Sequence, residues 1–248
     1  MSPAGLYAPF VPTLDLPPGL RAVGLREVGD AFAHAKGNAA ELGAGTLIFV
    51  GRFDLAEFAV VLEPDEPLAS SRRALYAGLV ALADALAGHA PPERPITLEW
   101  PDAIHVDGGL VGGARLAWAD GPEDEPPAWL VFGGMIRTVA MGEREPGVRP
   151  LSAALEDEGF DTLDSGRLIA SFARHLMVAV DLWQETGFAA VARQYLSLLS
   201  PEPGLRRDIA DNGDLLVQRM GKIGTERRPL LAALAAPSWF DPKTGGPR

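Results

Sequence analysis

Apolar and polar positions along this chain change period several times, and each change marks an expected element. From Asp30 to Leu42 an alanine-rich stretch predicts a helix, stopped by Gly43-Ala44-Gly45. Thr46 to Phe53 and Glu57 to Leu62 are β-branched and aromatic runs with a short connection, which predicts neighbouring strands. Between Ser70 and His89, Leu75, Leu79, Leu82 and Leu86 recur on one helical face, with Ser70 or Ser71 as N-cap, so one helix should cover the sheet. Four more short strands follow at Ile96 to Trp100, Ile104 to Val106, Leu110 to Trp118 and Trp129 to Val139. Pro101, Asp107-Gly108-Gly109 and the acidic, proline-rich loop 120–127 separate them. Two helices come next, one from Ser165 with Leu168, Phe172, Leu176 and Val180 on a stripe, the other from Gly187 with Phe188, Val191 and Tyr195. They should pack as a pair.

The two ends read differently. Pro3, Pro9, Pro12, Pro17 and Pro18 leave no room for a helix, so residues 1–20 are expected to form an extended arm. After Pro201 and Pro203, Leu205 to Arg219 reads as strand, turn at Asp211-Asn212-Gly213, strand, because Asn and Gly accept positive φ. The expected organisation is an arm (1–20), a main domain (21–200) and a small C-terminal β-module (201–248), without internal repeats.

Composition narrows the chemistry. The 248 residues suffice for one sizeable domain with a small appendage, and no apolar run is long enough to cross a bilayer. A cytoplasmic location and no membrane partner are the default expectations. With no cysteine, disulfides, thiolate metal sites and thiol-nucleophile acyl transfer are excluded. A net charge of −11 speaks against a nucleic-acid partner, which needs clustered Lys and Arg. Lysine occurs only at Lys36, Lys222 and Lys243, so arginine carries nearly all the positive charge. His34, His89, His105 and His175 have no metal-ligand spacing, and no metal site is expected.

The segment Leu98-Glu99-Trp100-Pro101-Asp102-Ala103-Ile104-His105-Val106-Asp107-Gly108-Gly109-Leu110-Val111-Gly112-Gly113 resembles, without gaps, the central signature of the biotin/lipoate protein ligases, K-W-P-N-D, a short strand, then G-R-K-x-G-G. Val131-Phe132-Gly133-Gly134-Met135-Ile136 stands where that family has a glycine-containing strand, and the resemblance runs from about residue 30 to 215. It implies an α+β fold, a mixed and mainly antiparallel sheet covered by helices like the class II aminoacyl-tRNA synthetases and biotin synthetases, with a small C-terminal β unit. It also implies a small carboxylic acid of the biotin or lipoyl type as ligand, ATP and magnesium as cofactors if the chain is an active ligase, and a carrier-protein lysine as acyl acceptor. No helix-turn-helix precedes the domain.

The residues depart from that chemistry at several points. Joining a carboxylate to AMP brings two anions together, and the family's G-R-K-x-G-G lysine bridges them. Leu110 stands at that position, with Gly109 in place of the arginine. The family's G-R-G-R-x-G loop is reduced to Gly51-Arg52, leaving Arg52 as a remnant. Val28-Gly29-Asp30 replaces a Ser-Thr-Asn step, Glu99, Asp102 and Ala103 replace Lys, Asn and Asp, and Arg137 falls at the metal-side asparagine. What remains is the scaffold of Trp100-Pro101-Asp102 and Gly112-Gly113, where missing side chains let backbone approach a ligand. Arg115 and Arg137, on neighbouring strands, are the candidate cations for an acid. The readings that follow are a diverged ligase and a ligase-like binding module that no longer adenylates.

Overall fold

In the computed structural model the described residues are 13–26, 29–141, 152–160 and 163–248; most of the expected arm lies outside them. The main sheet has seven strands in the order β1-β2-β3-β7-β6-β5-β4. These are β1 (Arg21–Leu25), β2 (Thr46–Val50), β3 (Leu55–Leu62), β4 (Ile96–Glu99), β5 (Ala103–Val106), β6 (Gly109–Trp118) and β7 (Leu130–Arg137). β1 pairs parallel with β2, and every other pairing is antiparallel, so the expected α+β class holds. β1 was not read from the pattern: five residues with a glycine at their fourth position carry too little alternation to stand out.

The sheet's two faces are covered unequally. Phe58, Val60, Val111, Ala114, Phe132 and Ile136 point to one side, into the large core under α3 (Ala74–Ala87), α4 (Ser165–Thr186) and α5 (Phe188–Leu198). The stripe Leu75, Leu79, Leu82 and Leu86 is fully buried there, and the centre of α3 is enclosed almost all round, which its high alanine content permits. Phe172 of α4 meets both Phe58 (4.4 Å) and Phe132 (5.6 Å), tying helix to sheet. On the opposite face α1 (Ala31–Leu42) lays Ala31, Ala35 and Ala39 against Ile48, Val50, Ala59, Val61 and Val131, so it lies over β2, β3 and the first half of β7, with Phe32 against Gly133. The remaining part of this face, over β5, β6 and the end of β7, is covered by Trp239 of the C-terminal tail instead of a helix, and it is the cleft face.

Some boundaries move. The expected helix from Ser70 is two pieces, α2 (Leu68–Ser71) and α3, because Ser70 does not cap; its carbonyl accepts the Arg73 side chain and its hydroxyl bonds back to Pro67 O at 2.9 Å. β2 stops at Val50, since Arg52 and Asp54 close a tight connection by pairing with each other. α1 and α4 begin as side-chain-capped helices, on Asp30 to Ala33 N and Asp164 to Arg167 N.

The C-terminal hairpin forms as β8 (Leu205–Ile209) and β9 (Leu215–Arg219), with β10 (Glu226–Arg228) as a third strand. Only Gly213 takes positive φ (85°) in the turn; Asn212 instead contributes its side chain, donating to Asp214 and accepting from Arg227. Then α6 (Leu230–Leu234) anchors on buried Leu230, and β11 (Phe240–Asp241) pairs with β12 (Gly246–Pro247). Nothing in the sequence pattern had flagged this last hairpin.

One close packing contact tests the core. A Cβ on Gly78 of α3 would lie 2.3 Å from the Phe132 ring. Gly78→Val is therefore expected to destabilise the protein by about 1–3 kcal/mol through overpacking, read as a lowered midpoint at unchanged slope in urea unfolding.

Candidate functional site

The cleft begins at the Trp100-Pro101-Asp102 step, a cis bond held from the helix side. Tyr195 OH donates to Pro101 O at 2.9 Å, and Trp100 Nε1 donates to the Tyr76 hydroxyl at 3.1 Å. Tyr76 in turn donates to Gly213 O, so α3, α5 and the C-terminal module all grip this turn. Trp100 therefore points to the helix side, while Asp102 points into the cleft side and is 1% exposed. No group among the described residues hydrogen-bonds either carboxylate oxygen of Asp102. Burial pushes its pKa up to about 7, only partly opposed by the nearby Trp239 indole N–H.

Over the glycine strand sits that indole. Trp239 is 1% exposed and donates from Nε1 to Ala114 O at 3.2 Å. A Cβ on Gly113 would fall 2.5 Å from Trp239 Nε1 and 2.4 Å from Asp102 O, so only glycine allows this approach. At Gly112 the same atom would collide with Met135 O, closing the strands on each other. Leu55, Ala103 and Met135 form the apolar bed of Trp239, with Leu110 and Phe240 packed beside them.

Two cations stand at opposite ends of this bed. Arg115, opposite Gly133, forms a two-point pair with Asp30 (3.0 and 3.3 Å) and lies over the rings of Phe32 (4.5 Å) and Phe240 (5.0 Å). Burial raises the pKa of Asp30, but the Ala33 N–H and the Arg115 guanidinium outweigh it and hold the carboxyl below its ordinary value. Arg137, opposite Leu55, donates to Ser152 Oγ and to backbone oxygens of Ala153, Pro247 and Arg248. Four strand positions separate the two along the ladder, roughly 13 Å, so one carboxylate group cannot bridge both. Glu57 lies between them on the same face, its carboxyl pushed up by burial while it accepts the Ala31 N–H at 2.9 Å.

Of the residues singled out in the sequence, the structure brings Asp102, Leu110, Gly113, Arg115 and Arg137 to one face, while Gly112, paired with Ile104 and Ile136, lies at a register position of the helix-side core. Trp100 and the Pro101 carbonyl face the helices instead, and Arg52 is locked to Asp54 (2.6 Å) at the rim. Trp239, Phe240, Phe32 and Ser152 were missed. The pair Trp239-Phe240, isolated in a proline- and glycine-rich tail, was the available signal. An open cavity of about 440 Å³ lies elsewhere, between β4 and the C-terminal sheet, with Glu99, His105 and Arg207 in its wall. Among the described residues no cluster of three His, Asp or Glu could hold a metal ion, and no helix is long and apolar enough to cross a membrane.

The buried Asp102 makes stability depend on pH. A carboxyl whose pKa rises on folding is protonated in the native state and ionised in the unfolded chain between about pH 4 and 7, so stability falls as pH rises through that window and levels off above it. Asp102→Asn should remove this slope, gaining on the order of 2–4 kcal/mol on the parent between pH 4 and 8. Chemical denaturation at a series of pH values reads it; parallel curves for parent and variant would contradict the assignment.

A sequence model of the Biotin/lipoate A/B protein ligase family matches residues 16–197. Among curated protein sequences none matches. Among solved structures, a biotin protein ligase-like protein of unknown function from Silicibacter superposes with a TM-score of 0.75 at 27% identity, over 89% of this chain and 98% of that one. The apo biotin protein ligase of Aquifex aeolicus superposes with a TM-score of 0.66 at 15% identity, over 84% and 95%. The same enzyme in complex with biotin and ATP gives 0.60 at 16%, over 84% and 95%. The low identities of the last two speak for the fold, and the family match covers most of the chain: this protein belongs to the biotin/lipoate A/B protein ligase family.

Proposed function

We propose that this chain is a ligase-fold binding module that holds a small carboxylic acid in the cleft over β6 and β7 and does not adenylate it. The observation that carries the reading is Leu110. It stands where the family's lysine would bridge acid and phosphate, and its side chain packs with Trp239, Met135 and Leu55 in an apolar cluster. A hydrocarbon there offers neither charge nor hydrogen bond to a transition state that develops negative charge, a contact of the kind worth about 3–4 kcal/mol.

The rest of the cleft supports the same reading for nucleotide and metal. ATP-magnesium does not fit these side chains: the short Gly51–Asp54 connection offers Arg52 already committed to Asp54, and Arg137 puts a cation beside the position where the family's asparagine faces a metal. A carboxylic acid does fit. With the Trp239 ring moved off the bed of Leu55, Ala103 and Met135, the acid's apolar part would match that bed, and its carboxylate could take charge-assisted hydrogen bonds from Arg137 at one end or Arg115 at the other. Both guanidiniums are engaged, Arg115 in a two-point ion pair with Asp30 and Arg137 with Ser152 and the backbone of the returning tail, so a carboxylate would have to displace a partner at either, and the tail oxygens on Arg137 are the ones it would imitate.

The purified protein is expected to show a thermal shift with free biotin, lipoate or octanoate, none with ATP-magnesium alone, and no pyrophosphate release with any acid. Pyrophosphate release would replace this reading by that of a ligase charging a carrier-protein lysine. Arg137→Ala and Arg115→Ala should each be compared by titration calorimetry. Loss of about 1.5–3 kcal/mol of acid affinity is expected in at least one, and unchanged affinity in both would remove the arginines from the site.

A further inference from the structure

The cleft face already holds a guest, and the guest is the chain itself. Residues 235–248 leave α6, set Trp239 onto Gly113, turn through Asp241–Gly245 and return beside β6 and β7 as β12. Three side chains fasten this strap: Trp239 and Pro247 are buried and Phe240 is partly so, while Pro242, Lys243, Thr244 and Gly245 are exposed. Its two short strands hydrogen-bond to each other and belong to a sheet of their own, so the seven-stranded ladder is complete without them.

The bonds that join strap to cleft are of the kind a ligand makes. Trp239 presents a flat apolar ring with one N–H donor, and the backbone oxygens of Pro247 and Arg248 sit on the Arg137 guanidinium, with Ser152 Oγ donating to Arg248 O at 2.9 Å. Gly113 pairs with Met135, and Arg137 lies two positions further along β7. Ring and oxygens are therefore about 7 Å apart along the strand. Beneath the ring lies Asp102, a carboxyl that is buried and without a hydrogen-bond partner among the described residues.

We propose that residues 235–248 are a tethered pseudo-ligand of the acid cleft, displaced by a carboxylic acid whose apolar head replaces the Trp239 ring and whose carboxylate, about 7 Å away, replaces the Pro247 and Arg248 oxygens on Arg137. The inference rests on the acid-binding reading of this cleft. A tethered competitor lowers apparent affinity by the fraction of time the cleft is open, so the strap sets a threshold acid concentration below which the site stays shut. It also couples the two states: binding the acid frees Trp239, Phe240 and the exposed turn as a surface that the closed form does not present.

Because the chain has no cysteine, one can be introduced as a reporter. Met135→Cys, under the indole, should react with a thiol reagent at least about 10-fold faster when combined with Trp239→Ala, since the bed is then open. Equal rates overturn the strap as a cover, whatever binds. Octanoate, biotin and lipoate should each be titrated into parent and Trp239→Ala. An affinity at least about 10-fold tighter in the variant for one of them supports displacement, and equal affinity overturns it while leaving acid binding intact. In the unaltered chain, the acid that binds should raise deuterium uptake of residues 239–248, and unchanged or lowered uptake overturns displacement even if the Trp239 variant folds poorly. If the reporter shows a covered bed and no acid binds either form, the acid-binding reading has failed and takes the competition with it.

Discussion

The approach of the Trp239 indole to bare backbone at Gly113 is the contact on which the cleft depends. Remove the possibility of that approach, by any side chain on Gly113, and the indole must leave, because the gap to both its Nε1 and the Asp102 carbonyl is shorter than a Cβ tolerates. With the indole in place, Met135, Leu55, Ala103 and Leu110 have an apolar partner and the open half of the sheet acquires a roof. The bare sheet face and the aromatic tail are therefore one design: each would expose unfavourable apolar surface without the other.

Electrostatics follows from the same arrangement. A chain with only three lysines must place its cations as guanidiniums, and guanidiniums lie flat and bond in forks. Arg115 uses that shape fully, stacked between Phe32 and Phe240 while holding Asp30 with two donors. The pair also fixes the first turn of α1 against β6, since Asp30 is the cap of that helix. Arg137 instead grips carbonyls of the returning tail. So one arginine holds a helix cap and the other holds the tail together with Ser152 and Ala153, a distinction that two arginines on adjacent strands do not reveal by spacing alone.

Much of the fold was legible because it rests on local rules. The leucine stripe of α3, the Phe172 stripe of α4, the strand runs and the Asp211–Gly213 turn each carry their own periodicity or turn chemistry, and all formed. The signature from Trp100 to Gly113 runs along the face that Trp239 covers, and its glycines have a reason to be bare. What could not be read were the contacts between distant segments. Trp100 looked like a site residue until Tyr76, on a helix 24 positions away, turned it to the other face. Ser70 was a plausible cap, but it lies inside α2 with its hydroxyl turned back to Pro67 O. Trp239 lies 126 positions from Gly113, and no periodic signal connects an isolated aromatic in a tail to a glycine in a strand.

The two faces of the sheet carry different mechanical loads. The helix side is a filled core in which the Trp-Pro-Asp step is gripped by Tyr76 and Tyr195, so changes there cost packing on several elements at once. The cleft side bears no such load. Its residues meet the tail rather than the core, and a leucine at position 110 is tolerated there because something apolar covers it. Trp239 is that cover. With that cover in place, a lysine at position 110 would set an ammonium beside an indole in an apolar cluster, so leucine and strap suit each other.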